Sequence, residues 1–309
     1  MRGQGRAYAA LAVSALGWAL APVFIRYLTA YYDPYVQSFV RYVSAAAALL
    51  PYCVVFYREE LLRAARRWRT LLAISLLVVF MQTAWTMAIY HTTATSAQLI
   101  AKLQVPMVVL LSYAMFHEER GVIVSFRFLA GGLLSLIGVA GVLMREPGAG
   151  LLPAFDYAFA LLMFVNVCWA VYIVGSRHTC KDLHPVPMFT VVSVMVTAGF
   201  LPVMLLLGDT SALERAGAGV GAVAFLSGMV SISMSHCAFH YAQVRLGAAF
   251  CTTLHLVNPF FTYLVALTLW PDEAMNLLQW IGAAVLITGS MLVVDAQRRT
   301  GATTARMGR

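Results

Sequence analysis

Five basic side chains stand inside long apolar stretches of this chain: Arg41, Lys102, His236, His240 and His255. All thirteen acidic residues lie elsewhere, in connectors or at the ends of apolar runs. A pathway lined with cations and without carboxylates favours an anion, or a zwitterion presenting a carboxylate, because Coulomb attraction strengthens at low dielectric. The same inventory argues against a carboxylate proton relay. If protons are coupled, histidine is the expected carrier, its unperturbed pKa of about 6.5 being close to neutrality.

Lys102 sits in the run 95–116 with Gln98, Gln104 and Pro106. At 1.5 Å per helical residue it lies about 10 Å past Thr95. An ammonium at that depth costs about 2.5–3.5 kcal/mol on insertion scales if it faces lipid. It therefore either snorkels to the surface, bonds carbonyls loosened around Pro106, or faces a polar interior. Gln82, Thr86 and Tyr90 recur at i, i+4, i+8, with Trp85 and Thr83 beside them, so three polar groups share one helix face. That face lines a cavity or bonds a neighbouring helix. His236 and His240 have the i, i+4 spacing of two zinc ligands, but no glutamate stands between them and no intramembrane carboxylate is available. No metal and no cofactor are assigned; substrate, proton or interhelical contact are the readings left. Asn166 and Trp169, at i, i+3, point inward on the same reasoning. Arg26, at a rim, and Arg41 serve either a substrate or helix ends and headgroups. The candidate substrate-binding set is Arg41, Gln82, Trp85, Thr86, Tyr90, Lys102, Asn166, Trp169, His236, His240 and His255, and no residue is assigned a catalytic role.

The elements that must position these groups are membrane helices. The chain is 61% hydrophobic and 11% charged, against about 25% charged for a soluble domain. Ten apolar runs are legible, at 7–27, 34–56, 69–90, 95–116, 123–144, 156–176, 185–207, 219–242, 247–270 and 276–295. Each is long enough to cross a bilayer, and no segment is left over for a separate soluble domain. The first run has Arg2 and Arg6 ahead of it, but Pro22 follows its one small-residue site, so a retained helix is expected rather than a cleaved signal. The net charge of +8 does not form a nucleic-acid patch, because the basic residues are spread over short connectors. With the N-terminus in the cytoplasm, sixteen Lys and Arg fall on the inner side and only Arg145 and Arg215 on the outer. Both termini are then cytoplasmic in an inner-membrane, multi-pass protein. Cys53, Cys168, Cys237 and Cys251 lie in apolar runs and Cys180 in a basic loop, which gives no disulfide framework.

The two halves match in order. Trp18 and Arg26 repeat as Trp169 and Arg177; Pro34, Gly131 and Gly138 repeat as Pro185, Gly282 and Gly289. Lys102 and Pro106 repeat as His255 and Pro259. Five spans per half is odd, so the second copy is inserted upside down: an inverted repeat, 1–150 and 151–309, as in many secondary transporters.

On these residues the chain resembles the EamA branch of the drug/metabolite transporter superfamily. The resemblance rests on Trp18, Arg26, Pro34 and Arg41, on TSAQL…QVP through HEER to LAGGLLSLIGV, and on their second-half counterparts CWAVYIVGSR, RLGAAFCTTLHLVNPFFTYL and PDEAMNLLQWIGAAVLITG. It spans about residues 10–295. Val192 departs from the family's second-repeat arginine, and His236 and His240 stand where an aromatic is usual. The resemblance implies an all-α membrane protein, ten helices in two inverted five-helix repeats around a central cavity, working by alternating access. The expected activity is secondary transport of an amino acid or other carboxylate-bearing solute, coupled to protons or to a counter-substrate. The alternatives are export of toxic compounds, an intramembrane enzyme or a receptor. No GxxxxGK[ST], HExxH or GxSG motif supports ATP drive or hydrolysis. Oligomeric state is not legible.

Overall fold

An apolar run in lipid has only its own backbone to bond, so it becomes helix. The computed structural model describes residues 2–116, 123–144, 156–179, 182–246, 251 and 254–307. Cys180, the HEER motif and positions 247–250 lie outside the described residues. The chain runs through α1 (Arg2–Leu28), α2 (Pro34–Phe56), a short α3 (Arg58–Ala65), α4 (Trp68–Ile89), α5 (Ala94–Ile100) and α6 (Gln104–Phe116). It continues through α7 (Phe126–Val142), α8 (Tyr157–Thr179), α9 (Pro185–Leu207), α10 (Ala212–Arg215) and α11 (Gly217–Ser227). The last helices are α12 (Ser235–Leu246), α13 (Asn258–Leu269) and α14 (Leu277–Met307). No strand occurs among the described residues.

Among the described residues, eight helices are long and apolar enough to cross a membrane, α5 and α6 counting as one and α11 and α12 as another. The fifth and ninth apolar runs hold shorter helices, Phe126–Val142 and His255–Leu269. Large apolar side chains cover the outside: Phe126 is 83% and Leu206 81% exposed. An apolar exterior of this kind suits lipid surroundings.

Helix starts are written locally. Asp33 accepts from the N–H groups of Tyr35 (2.8 Å) and Val36 (3.0 Å), with Pro34 filling the first helical position where no N–H is needed. His184, ahead of Pro185, caps α9 in the same way. Packing follows the glycines. α7 lies along α14, and a Cβ on Gly289 would come within 2.6 Å of the Gly131 carbonyl oxygen. That approach is open only to residues without a side chain. Elsewhere α2 packs on α9, α4 on α8 and α9, and α1 on α12 and α13.

Three helices are interrupted, and the interruptions carry the polar residues. Between α5 and α6 the backbone tightens to a 3-10 turn at Ala101–Leu103, and before α13 it does so again at His255–Val257. Each turn includes the residue four before a proline: Lys102 before Pro106, His255 before Pro259. A proline has no N–H for the carbonyl four residues back, so the chain closes a three-residue turn instead. Between α11 and α12 a π segment, Gly228–Met234, widens the helix where it meets α2; a Cβ on Gly228 would overlap the Arg41 carbonyl.

Candidate functional site

Two tryptophans from matching places in the two halves meet at the centre. Trp18 of α1 and Trp169 of α8 stand edge to face, centroids 6.0 Å apart. His236 lies beside both, 5.0 Å from Trp18 and 6.0 Å from Trp169, and stacks flat on Phe189 at 4.4 Å. His255 also lies beside Trp18, at 4.7 Å, with Phe239 5.2 Å away. His240 is one turn beyond His236, ring centroids 6.4 Å apart, and its buried Nε2 has no hydrogen-bond partner. No group of three metal-ligating side chains occurs among the described residues.

Lys102 is 4% exposed and stands on its 3-10 turn. It has no hydrogen bond and no ion pair among the described residues. His255, on the matching 3-10 turn of the second half, is already bonded at both nitrogens. The Ser14 hydroxyl donates to the Leu11 carbonyl at 2.9 Å, so its oxygen accepts from Nε2–H of His255 at 3.1 Å. Nδ1 is then bare and accepts from the Asn258 amide at 3.2 Å. That pattern specifies a neutral imidazole with its proton on Nε2. Asn166 donates to the Ile100 carbonyl at 3.1 Å, two residues before Lys102. The amide oxygens of Asn166 and Asn258 are buried and unbonded. Among the described residues the site thus holds one basic group, Lys102, with no acceptor and two amide oxygens with no donor.

The other sequence candidates are held by different partners. Arg41 is buried between α2 and the π segment, donating Nε to the Ser227 hydroxyl (2.9 Å) and Nη2 to that of Ser231 (3.1 Å). Thr86 accepts from Ser38 at 3.2 Å. Tyr90 accepts from Gln37 at 2.5 Å and donates to the Tyr32 carbonyl. These two members of the polar stripe on α4 therefore bond α2. Gln82 is half-buried without a hydrogen bond among the described residues, and Trp85 packs against two apolar clusters at once.

At the end of α1 remote from its N-terminus a cavity of about 500 Å³ opens, lined by Arg26, Tyr90, Thr92, Ser96, Asp156, Asp272 and others, with Ile100 and Leu162 also in its wall. Arg26 pairs there with Asp272 and Glu273 and lies over the Trp270 ring at 4.8 Å. Glu273 is buried although it comes from a connector, and it accepts from the N–H groups of Ala94 (2.7 Å) and Thr95 (3.1 Å) in the first turn of α5. Of the residues sequence reasoning left out, Trp18 carried a signal as the mate of Trp169, and Asn258 as the neighbour of Pro259. Ser14 and Glu273 carried none.

The model of the EamA-like transporter family matches residues 5–144 and 157–295. The chain belongs to this family. An uncharacterized transporter from Archaeoglobus fulgidus is 24% identical over 296 residues, covering 94% of this chain and 97% of its own length. A solved structure, described only as the crystal structure of a protein, superposes with a TM-score of 0.69 over 95% of this chain and 98% of that one, at 15% identity. That likeness is one of fold. Membership in the EamA-like family and the eight long apolar helices make this a multi-pass membrane protein of a transporter family.

Proposed function

We propose that this EamA-family chain is a secondary transporter that moves a small carboxylate-bearing metabolite, an amino acid or another anionic solute, across the inner membrane by alternating access. The observation that carries the reading is Lys102: a buried basic group with no counter-charge among the described residues. A carboxylate would supply that charge, and the free amide oxygens of Asn166 and Asn258 would accept from the ammonium of a zwitterion.

In this reading the chain has ten crossing helices in two inverted repeats, 1–150 and 151–309, with both termini cytoplasmic. The two family matches, one per half, support the repeat. So do the paired 3-10 turns at Lys102 and His255, each four residues before a proline. The cavity beside Arg26 is then the outer mouth of the path, and the turns are the points about which the halves bend.

The test is counterflow into liposomes holding purified protein, with L-alanine, L-leucine, L-glutamate and L-lactate as labelled solutes. Accumulation of at least one is expected, strongly reduced but still measurable in Lys102→Gln. No accumulation of any of the four would defeat the reading.

A further inference from the structure

Lys102 poses a problem that substrate binding alone does not solve: what it does when the site is empty. A buried ammonium without a partner costs several kcal/mol, and a lysine avoids the cost by giving up its proton. Among the described residues, nothing around it offers a counter-charge. His255 is neutral and tied at both ends, to Ser14 and to Asn258; a proton on Nδ1 would confront the Asn258 N–H. The Ala101–Leu103 turn also packs against α5, α6, α8 and α14. α5 brings Gln98, bonded to the Trp18 carbonyl at 3.1 Å, and no acid. The one tyrosine of α6, Tyr113, is about three turns further along. α8 brings Asn166; its Cys168 and Tyr172 lie in a different cluster, with Tyr42. The acid of α14, Asp295, is part-exposed and paired with Arg127 and Arg299.

We infer that Lys102 is the proton carrier of the transport cycle. The inference rests on the transporter reading above and displaces histidine from the role that composition gave it. In the empty site Lys102 stands as a neutral amine. As the carboxylate docks, the Nζ lone pair takes a proton from water on the loading side. When the carboxylate leaves, that proton returns to water on the release side. No covalent bond to the solute forms. One proton accompanies each carboxylate, so the cycle is electroneutral for a monoanion and carries one positive charge for a zwitterion.

The sequence makes the test unusually direct, because Lys102 and Lys181 are its two lysines. In Lys181→Arg protein with ¹⁵N-labelled lysine, in nanodiscs, Lys102 gives the one Nζ signal. At neutral pH an exposed lysine would be charged, since its pKa is about 10.4. The expected signal is a neutral amine in the empty protein and an ammonium once the solute that gave counterflow is added. In liposomes holding a pH dye, the wild type moves protons with that solute. Lys102→Arg, which cannot discharge, keeps some counterflow and loses the proton movement. An ammonium in the empty site would overturn the inference. So would proton movement that survives Lys102→Arg and is lost in His236→Gln or His240→Gln. A wild type that moves one of the four solutes without protons defeats this inference alone; a wild type that moves none defeats the transporter reading with it.

Discussion

Replacing Glu273 by alanine removes one carboxylate that serves three partners. Its side chain has no exposed surface, whereas that of Asp272, the other acid on Arg26, is 67% exposed. Two backbone N–H groups of α5 lose a charged acceptor, and Arg26, only 15% exposed, keeps a solvent-screened partner. Hydrogen bonds to charged groups contribute about 1.5–3 kcal/mol each, and breaking a buried ion pair costs about 3–5 kcal/mol. The two effects share a group and do not add, so the expected loss is about 3–5 kcal/mol. Glu273→Gln retains an acceptor without the charge and should lose about half of that. Asp272→Ala should lose about 0–1 kcal/mol, as an exposed pair does. Equilibrium unfolding in mixed micelles, followed by tryptophan fluorescence, reads all three. A Glu273→Ala protein within about 0.5 kcal/mol of wild type, or an Asp272→Ala protein that loses as much as it does, would refute the assignment of Glu273 as the buried tie.

Gly289→Ala should destabilise by about 1–3 kcal/mol, because its Cβ would press on the Gly131 carbonyl. Gly132→Ala, with nothing within 4 Å of its Cβ, should be neutral or gain up to about 1 kcal/mol from helix propensity; the same unfolding assay compares them. Arg41→Lys cannot reach both Ser227 and Ser231 and should lose about 1.5–3 kcal/mol, with Ser231→Ala losing less. The Ser211 hydroxyl and the Arg215 guanidinium hold the Asp209 carboxyl below the usual carboxylate range. A group depressed by folding stabilises above its unfolded pKa, about 3.9, and loses that contribution as pH falls through the folded value. Asp209→Asn should therefore lower stability slightly at neutral pH, where that contribution is fully present, and flatten the acid end of the stability profile.

Much of the fold was written in local terms. Apolar runs place the helices, Asp33–Pro34 and His184–Pro185 start two of them, and the glycines mark where α7 and α14 touch. The prolines after Lys102 and His255 foretold a break, because a missing N–H acts four residues back whatever surrounds it. What the sequence could not convey were pairings between distant segments. Arg41 has its hydroxyl partners at the end of α11 (Ser227) and on the π segment (Ser231), whose sequence carries no sign of a widened helix. Tyr90 and Thr86 share a face with Gln82, but only the placement of α2 decides that the first two are bonded there. Glu273 looks like any loop acid until the chain buries it against α5. The tie of His255 to Ser14 spans nearly the whole chain. Basic residues inside spans suggested an anion as the solute, but which of them are already bonded is a property of the packed bundle.

The central claim is that a carboxylate docks against Lys102. Its most direct test is competition in the counterflow assay between L-leucine and L-leucinamide, which differ in the carboxylate alone. Charge pairs in closed sites contribute about 1.5–7 kcal/mol, so L-leucine should compete at least about tenfold better in the wild type, and Lys102→Gln should remove the difference. Equal competition by the acid and the amide, or a preference for the acid that survives in Lys102→Gln, would contradict the account.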